Sequence, residues 1–297
     1  MKNMKWFLPA TAIAFALLLG GCQKSANEDI NSAEETEMSE LSVDDNEAAG
    51  IYTDVFEMVT GVDDQLGFGE SPIFGEGNFS EVEGIIAGDP ANQRCVSITI
   101  TPRDIGVFPK TVVLDFGSGC KGPDGRTRSG KIITVYSKPL FIPGAEATTR
   151  FDGYHVGEHK IEGVHITKNE STSTTRIITR VVREGKITAP NGNYRKWAGK
   201  HTNTQIDGQG TPGYQKDDVF SITGSAEGER KVGDNITKWS RIILSPVIKA
   251  VACQWPSKGE VKITRNGKSA ILNYGDGGCD NKATMTFDGR TKEITLR

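Results

Sequence analysis

Lys110-Thr-Val-Val-Leu-Asp-Phe-Gly-Ser-Gly-Cys120 returns near the C-terminus as Lys268-Ser-Ala-Ile-Leu-Asn-Tyr-Gly-Asp-Gly-Gly-Cys279. Each copy is an apolar run of strand-forming residues, then Asp115 or Asn273, an aromatic ring (Phe116, Tyr274), glycines and a cysteine. A second cysteine, Cys95 or Cys253, lies 25 or 26 residues upstream. The spacing predicts a duplicated hairpin, each copy stapled by its own disulfide, Cys95–Cys120 and Cys253–Cys279. Two such bonds place the chain in an oxidising compartment.

Outward from these hairpins the pattern stays β. Val96–Thr101, Lys110–Phe116, Lys131–Tyr136, Ala145–Val156, His159–Thr167, Thr174–Arg183, Val219–Thr223, Ile236–Leu244, Glu260–Thr264, Ser269–Tyr274, Ala283–Phe287 and Thr291–Leu296 read as strands with turn residues between them. Strands in succession with no helical period between them predict a mainly β fold, an antiparallel meander forming a sandwich or a curved half-barrel. Asn266-Gly267 and Asp288-Gly289 are type I′ turn signals. Setting Arg265 opposite Lys268 puts Cys253 opposite Asp280, and one bulge at Gly277 or Gly278 brings Cys279 level. A turn at Gly157-Glu158 pairs His159 with Val156 and His165 with Arg150.

Lys2 and Lys5 precede an apolar run from Trp6 to Leu19, shorter than the roughly 20 residues that span a bilayer. This is a secretory signal over residues 1–21. Its end, Leu19-Gly20-Gly21-Cys22, resembles the lipobox of bacterial lipoprotein precursors. The resemblance implies cleavage after Gly21 and a diacylglyceryl thioether with an acylated amine, palmitate among the chains, on Cys22, which is enough lipid for stable anchoring. Gln23, where Asp would favour inner-membrane retention, points to the outer membrane. The body is similar to glycine-rich all-β lipoproteins of Gram-negative envelopes, in which an aromatic-Gly-x-Gly-Cys hairpin (Phe116–Cys120) precedes a Gly-Arg-x-Arg-x-Gly-Lys stretch (Gly125–Lys131). That likeness implies a fold and no activity.

Residues 22–50 carry nine acids against Lys24 and few aromatics, and read as the acylated cysteine followed by an acidic disordered tether. Ile51, Val55, Met58, Val59, Val62 and Leu66 recur at helical spacing, so residues 51–94 read as a helix, starting as early as Asp44, and a glycine-rich connection. The β body is 95–297. The whole chain has a net charge of −3; losing Lys2 and Lys5 and then the tether leaves a body of about +3, too mild for a nucleic-acid partner.

Gly125-Arg-Thr-Arg-Ser-Gly-Lys131 starts like a phosphate loop, but Ile132 replaces the hydroxyl residue and a strand follows where a helix is needed. Ser118-Gly-Cys-Lys121 has a nucleophile-lysine spacing in a turn instead of a helix. Asp276 and Asp280 lack the alternation of a calcium loop. His155, His159, His165 and His201 are spaced as solvent-facing strand residues and not as zinc ligands. No metal, cofactor or catalytic residue is expected.

The remaining functional signal is basic and aromatic: Arg176, Arg180, Arg183, Lys186, Arg195, Lys196 and Lys200 with Tyr194 and Trp197. Arg176, Arg180, Lys196 and Trp197 are the expected ligand-binding residues, for an anionic glycan or lipid. The expectation is a lipid-anchored envelope protein, a non-enzymatic binding or structural module. The rivals are a glycan hydrolase with carboxylates scattered along the chain, and a periplasmic lipid or lipoprotein carrier. Replacing Cys22→Ser should leave the precursor uncleaved and unlabelled by radioactive fatty acid; normal maturation of that variant would remove the anchor from this reading.

Overall fold

The computed structural model describes residues 24–60 and 95–296, apart from 105, 123, 141, 173–174 and 212–214, with helix side chains given for 33–59. The expected signal peptide, Cys22, the helix end at Leu66 and the glycine-rich connection over 61–94 lie outside the described residues. The helix α1 is Lys24–Thr60. The strands are β1 (Ser97–Thr101), β2 (Lys110–Asp115), β3 (Cys120–Lys121), β4 (Thr127–Tyr136), β5 (Glu146–Val156), β6 (His159–Asn169) and β7 (Ile177–Thr188). They continue as β8 (Tyr194–Asp207), β9 (Val219–Val232), β10 (Asn235–Ala250), β11 (Lys258–Arg265), β12 (Lys268–Asp276), β13 (Lys282–Phe287) and β14 (Arg290–Thr295).

All of them belong to one open antiparallel sheet, each pairing with its neighbours in chain order, with the short β3 attached to β4 alone. The meander is therefore a single sheet and not two stacked ones. Both disulfides form as expected, with Cα–Cα distances of 5.2 Å for Cys95–Cys120 and 5.7 Å for Cys253–Cys279. The repeated Asp/Asn-aromatic-Gly triplet is a structural device. The side chains of Asp115 and Asn273 accept the backbone N–H of Gly117 and Gly275 at 2.9 and 2.8 Å. Each glycine has a positive φ, 58° and 91°, a backbone state that glycine reaches without cost. The turn leaves Phe116 and Tyr274 buried in separate halves of the core.

Arg265 faces Lys268 and His159 faces Val156, as the turns require. The bulge in the second hairpin sits at Gly259, opposite Tyr274 and Gly275, and not at Gly277 or Gly278. Cys253 reaches Cys279 from a turn beyond the ladder, closed by the Cys253 N–H on the Ala250 carbonyl at 3.1 Å.

The acidic stretch 22–50 corrects the sequence reading: from Lys24 onward it is α1, and Met38, Leu41, Ser42, Asp44, Asp45 and Asn46 are buried. A helix of 37 residues is about 55 Å long, and it packs across one face of the sheet. Met38 and Leu41 pack in a core cluster with β9–β14, while Ala48 to Val59 pack in another with β1–β9. Fully burying side chains such as Leu41, Val55 and Met58 stabilises the fold by roughly 1.5–3 kcal/mol each.

Every acidic side chain from Glu34 to Glu57 meets a cation of the sheet. Glu34 pairs with Lys268, Glu35 with Arg290 and Lys292, Glu37 with Arg265, and Glu40 with Arg230. Asp44 and Glu47 hold Arg195, and Asp44 also holds Arg230. Asp45 pairs with Arg241 at 3.3 Å, Asp54 with Arg128 at 2.9 Å and Glu57 with Lys249 at 3.5 Å. Asp45 also accepts the indole N–H of Trp197 at 3.1 Å and of Trp239 at 3.5 Å. The strand positions are shaped for this approach. At Gly185 a Cβ would sit 2.6 Å from the Tyr52 hydroxyl, and at Gly228 it would sit 2.1 Å from the Trp239 ring.

The outer pairs are worth little, about 0–1 kcal/mol each, whereas breaking a buried pair costs roughly 3–5 kcal/mol because the remaining charge stays out of water. Asp45→Ala should therefore lower the unfolding free energy by about 3–5 kcal/mol in urea melts, and Glu293→Ala, which breaks an exposed pair with Lys282, by under about 1 kcal/mol. Equal small losses would show that α1 is held by its apolar face alone.

Candidate functional site

The expected ligand-binding residues do not form one surface. Lys196 lies on the outer face beside Glu229 at 3.0 Å and against the Tyr194 ring. Arg176 pairs with Asp218 at 3.3 Å at the start of β7. Arg180 and Trp197 point inward and are buried. Alternation along β7 and β8 explains the split, since neighbours in sequence leave on opposite faces.

Arg180 and Trp197 instead line a cavity of ≈ 250 Å³ between α1 and the sheet. Asn46, Ala49, Gly50, Thr53 and Glu57 supply the helix side, one turn apart, so they share a stripe. His165 of β6, Arg180 of β7, His201 of β8 and Arg241 of β10 supply the opposite wall. The loop 251–256, tied down by the Cys253 disulfide, and Arg126 of the β3–β4 turn also line it.

The two histidines correct the solvent-facing expectation. An extra residue in β5 at the Gly153 bulge shifts the ladder, so His165 faces Thr149 and not Arg150. The bulge exchanges the faces of β5, while β6 keeps one parity inward along its length, so His165 is buried in line with Ile161, Thr167 and Asn169. His165 is 1% exposed and His201 6%. His201 stacks flat on Trp197, whose other neighbour is Tyr52, each at 5.6 Å between ring centres. Burial, reinforced by the Arg180 cation, pushes His165 down to about 3. Burial, then Arg241 and Arg180, pushes His201 well below its usual range. Both rings are neutral, and among the described residues His165 Nδ1 and His201 Nε2 have no hydrogen-bond partner.

The cations differ in how they are answered. Arg128 is drawn down by burial, but Asp54 and Asp124 more than offset this and hold it above its ordinary range. Arg241 is likewise held up by Asp45 against burial. Lys249 donates to the Ala250 and Cys253 carbonyls and sits beside Glu57, whose own pKa burial raises. Arg180 is 8% exposed, yet it has only Asn203 at 3.1 Å, Thr53 at 3.1 Å and the Phe56 ring at 4.7 Å from its centre. Among the described residues no carboxylate lies within ion-pair distance of it. Burial pulls its pKa down to about 10 against the more distant attraction of Glu57, so it stays cationic. The Trp255 indole N–H, also on the cavity, has no partner.

A wider cleft of ≈ 520 Å³ lies by Arg195 and Arg230, but Asp44, Glu40 and Glu47 already neutralise both arginines. Among the described residues no cluster of His, Cys, Asp or Glu could hold a metal ion. The Gly125–Lys131 stretch runs into strand β4, and its Arg128 is spent on Asp54 and Asp124. No family model, curated protein or solved structure matches the chain.

Sequence reasoning missed β8 as a strand and its role as a cavity wall. Its inward positions are Trp197, Gly199, His201, Asn203 and Gln205, so the polar cavity lining erases the apolar alternation that would announce a strand. The readable signal was the period of two in that polar series.

A histidine whose folded pKa is depressed gives stability that is complete above its unfolded value near 6.5 and is lost as pH falls toward the folded value. The unfolding free energy of the wild type minus that of His165→Gln should thus shrink by about 1.4 kcal/mol per pH unit below pH 6.5. A difference that stays flat down to pH 4.5 would mean that His165 takes up its proton without unfolding.

Proposed function

We propose that the protein is a lipid-anchored envelope protein, held through Cys22 in the outer membrane, that acts as a non-enzymatic binding module for an anionic glycan. The observation that carries this is the Arg180 guanidinium, buried on a cavity with no carboxylate within ion-pair distance among the described residues, Glu57 acting on it only from farther off. A buried cation is costly unless paired, and an anionic group entering the cavity supplies the pair. The ligand thus belongs inside, and not on the outer basic face, where Lys196 is neutralised by Glu229.

Two further observations favour a binder over its rivals. The inner face of the sheet, which a lipid carrier would fill with acyl chain, is occupied by α1 and its core contacts. The cavity carboxylates Asp54 and Glu57, which a hydrolase would need free, are engaged by Arg128 and Lys249.

Calorimetric titration of the full mature chain with oligogalacturonate at low salt tests this. Arg180→Met should weaken binding by roughly tenfold or more, the loss of a hydrogen-bonded charge pair, and Lys196→Met should leave it unchanged. Equal losses in the two variants, with melting unaltered, would assign binding to diffuse surface charge.

A further inference from the structure

Resting on that reading, we infer that the cavity accepts a single monoanionic group carried on one sugar-sized ring, the carboxylate of a terminal uronic acid, and rejects both the neutral sugar and a phosphate dianion.

The charge comes from the pairing around the cavity. Arg241 is matched by Asp45, Lys249 by Glu57, and Arg128 by Asp54. Arg126 lies 3.8 Å from Asp124 at the rim. Among the described residues Arg180 is the remaining cation, reached by Glu57 only from beyond ion-pair distance, so the site is short of one negative charge. A carboxylate restores neutrality, whereas a dianion would leave a charge of opposite sign in a poorly solvated space, at a cost of the same kind as leaving Arg180 alone. A neutral sugar leaves Arg180 unanswered.

The size comes from the enclosure. A volume of ≈ 250 Å³ lies below the roughly 300–1,000 Å³ of drug-sized ligand sites, so one ring fits and a polysaccharide running through does not. The walls are amphipathic, as a sugar ring requires. Ile243, Val247 and Val251 offer apolar contact, while His201 Nε2, His165 Nδ1 and the Trp255 N–H are polar atoms still without partners. The carboxylate would meet the Arg180 end, which lies beside these histidines, and the ring hydroxyls would take the remaining nitrogens. Gly50 leaves open space at the helix side, where a Cβ would touch nothing within 4 Å.

The test uses three ligands that share a hexose ring and differ at one carbon: glucose, glucuronate and glucose 6-phosphate. Each is titrated into the full mature chain at pH 8, where the phosphate is a dianion. Glucuronate should bind at least tenfold more tightly than either of the others. Arg180→Met should erase its advantage over glucose. Glu57→Gln, which removes one negative charge, should move the preference at least tenfold toward glucose 6-phosphate. Phosphate binding as tight as glucuronate, or a Glu57→Gln preference identical to wild type, overturns the charge count while leaving an anion-binding cavity. Absence of binding by all three, in wild-type protein that melts cooperatively, overturns the binding reading itself.

Discussion

The fold rests on an acidic helix laid against the basic inner face of a sheet. Neither partner is stable in that form alone. The inner faces of β4, β8, β9 and β10 carry Arg128, Arg195, Arg230 and Arg241, which could not be buried without counter-charges, and α1 supplies one for each. The exposed pairs near Glu34 and Glu35 add little energy. The buried ones at Asp45 and Asp54 do more through what they forbid: any register of helix against sheet that leaves Arg241 or Arg128 unpaired costs several kcal/mol. The apolar stripe from Met38 to Val59 supplies the larger share of the binding, and the charges fix where along the sheet it binds.

An open sheet of this length also needs curvature, and its source is local. Bulges interrupt the ladders of β5 with β6, β6 with β7, β7 with β8, and β9 with β10. Bulges bend a strand and raise its twist. Gly185 and Gly228 then remove the side chains that would collide with Tyr52 and Trp239. The cavity lies where Gly50 contributes no side chain and where His165, Arg180 and His201 stand in place of apolar residues on the wall. The polar groups that make the site are the same ones that loosen the packing there.

Much was legible in the sequence. The strand order, the two staples and the I′ turns were, because hairpin pairing and turn geometry are local: the interacting residues lie within about 25 positions of each other and their signals are steric. Tyr274 and Phe116 could be seen as equivalent before either was seen to be buried. The pairing of Asp45 with Arg241 could not be read in this way, since nearly two hundred residues separate them and neither residue type announces a partner. An acid-rich segment with few aromatics and a cluster of arginines each look solvated when taken alone. The tether expectation failed because its acids find their counter-ions far along the chain, on β4 and on β8 to β14, and of the basic cluster only Arg195 meets them. The sequence determined that the body is an antiparallel meander and which cysteines met; only the tertiary structure decided that β8 joins the sheet, that the acidic segment is a buried helix, that the parity of β6 carrying His165 is the one facing it, and that Arg180 is, among the described residues, the cation left over, because long-range charge pairing depends on how the sheet meets the helix and leaves no local pattern to read.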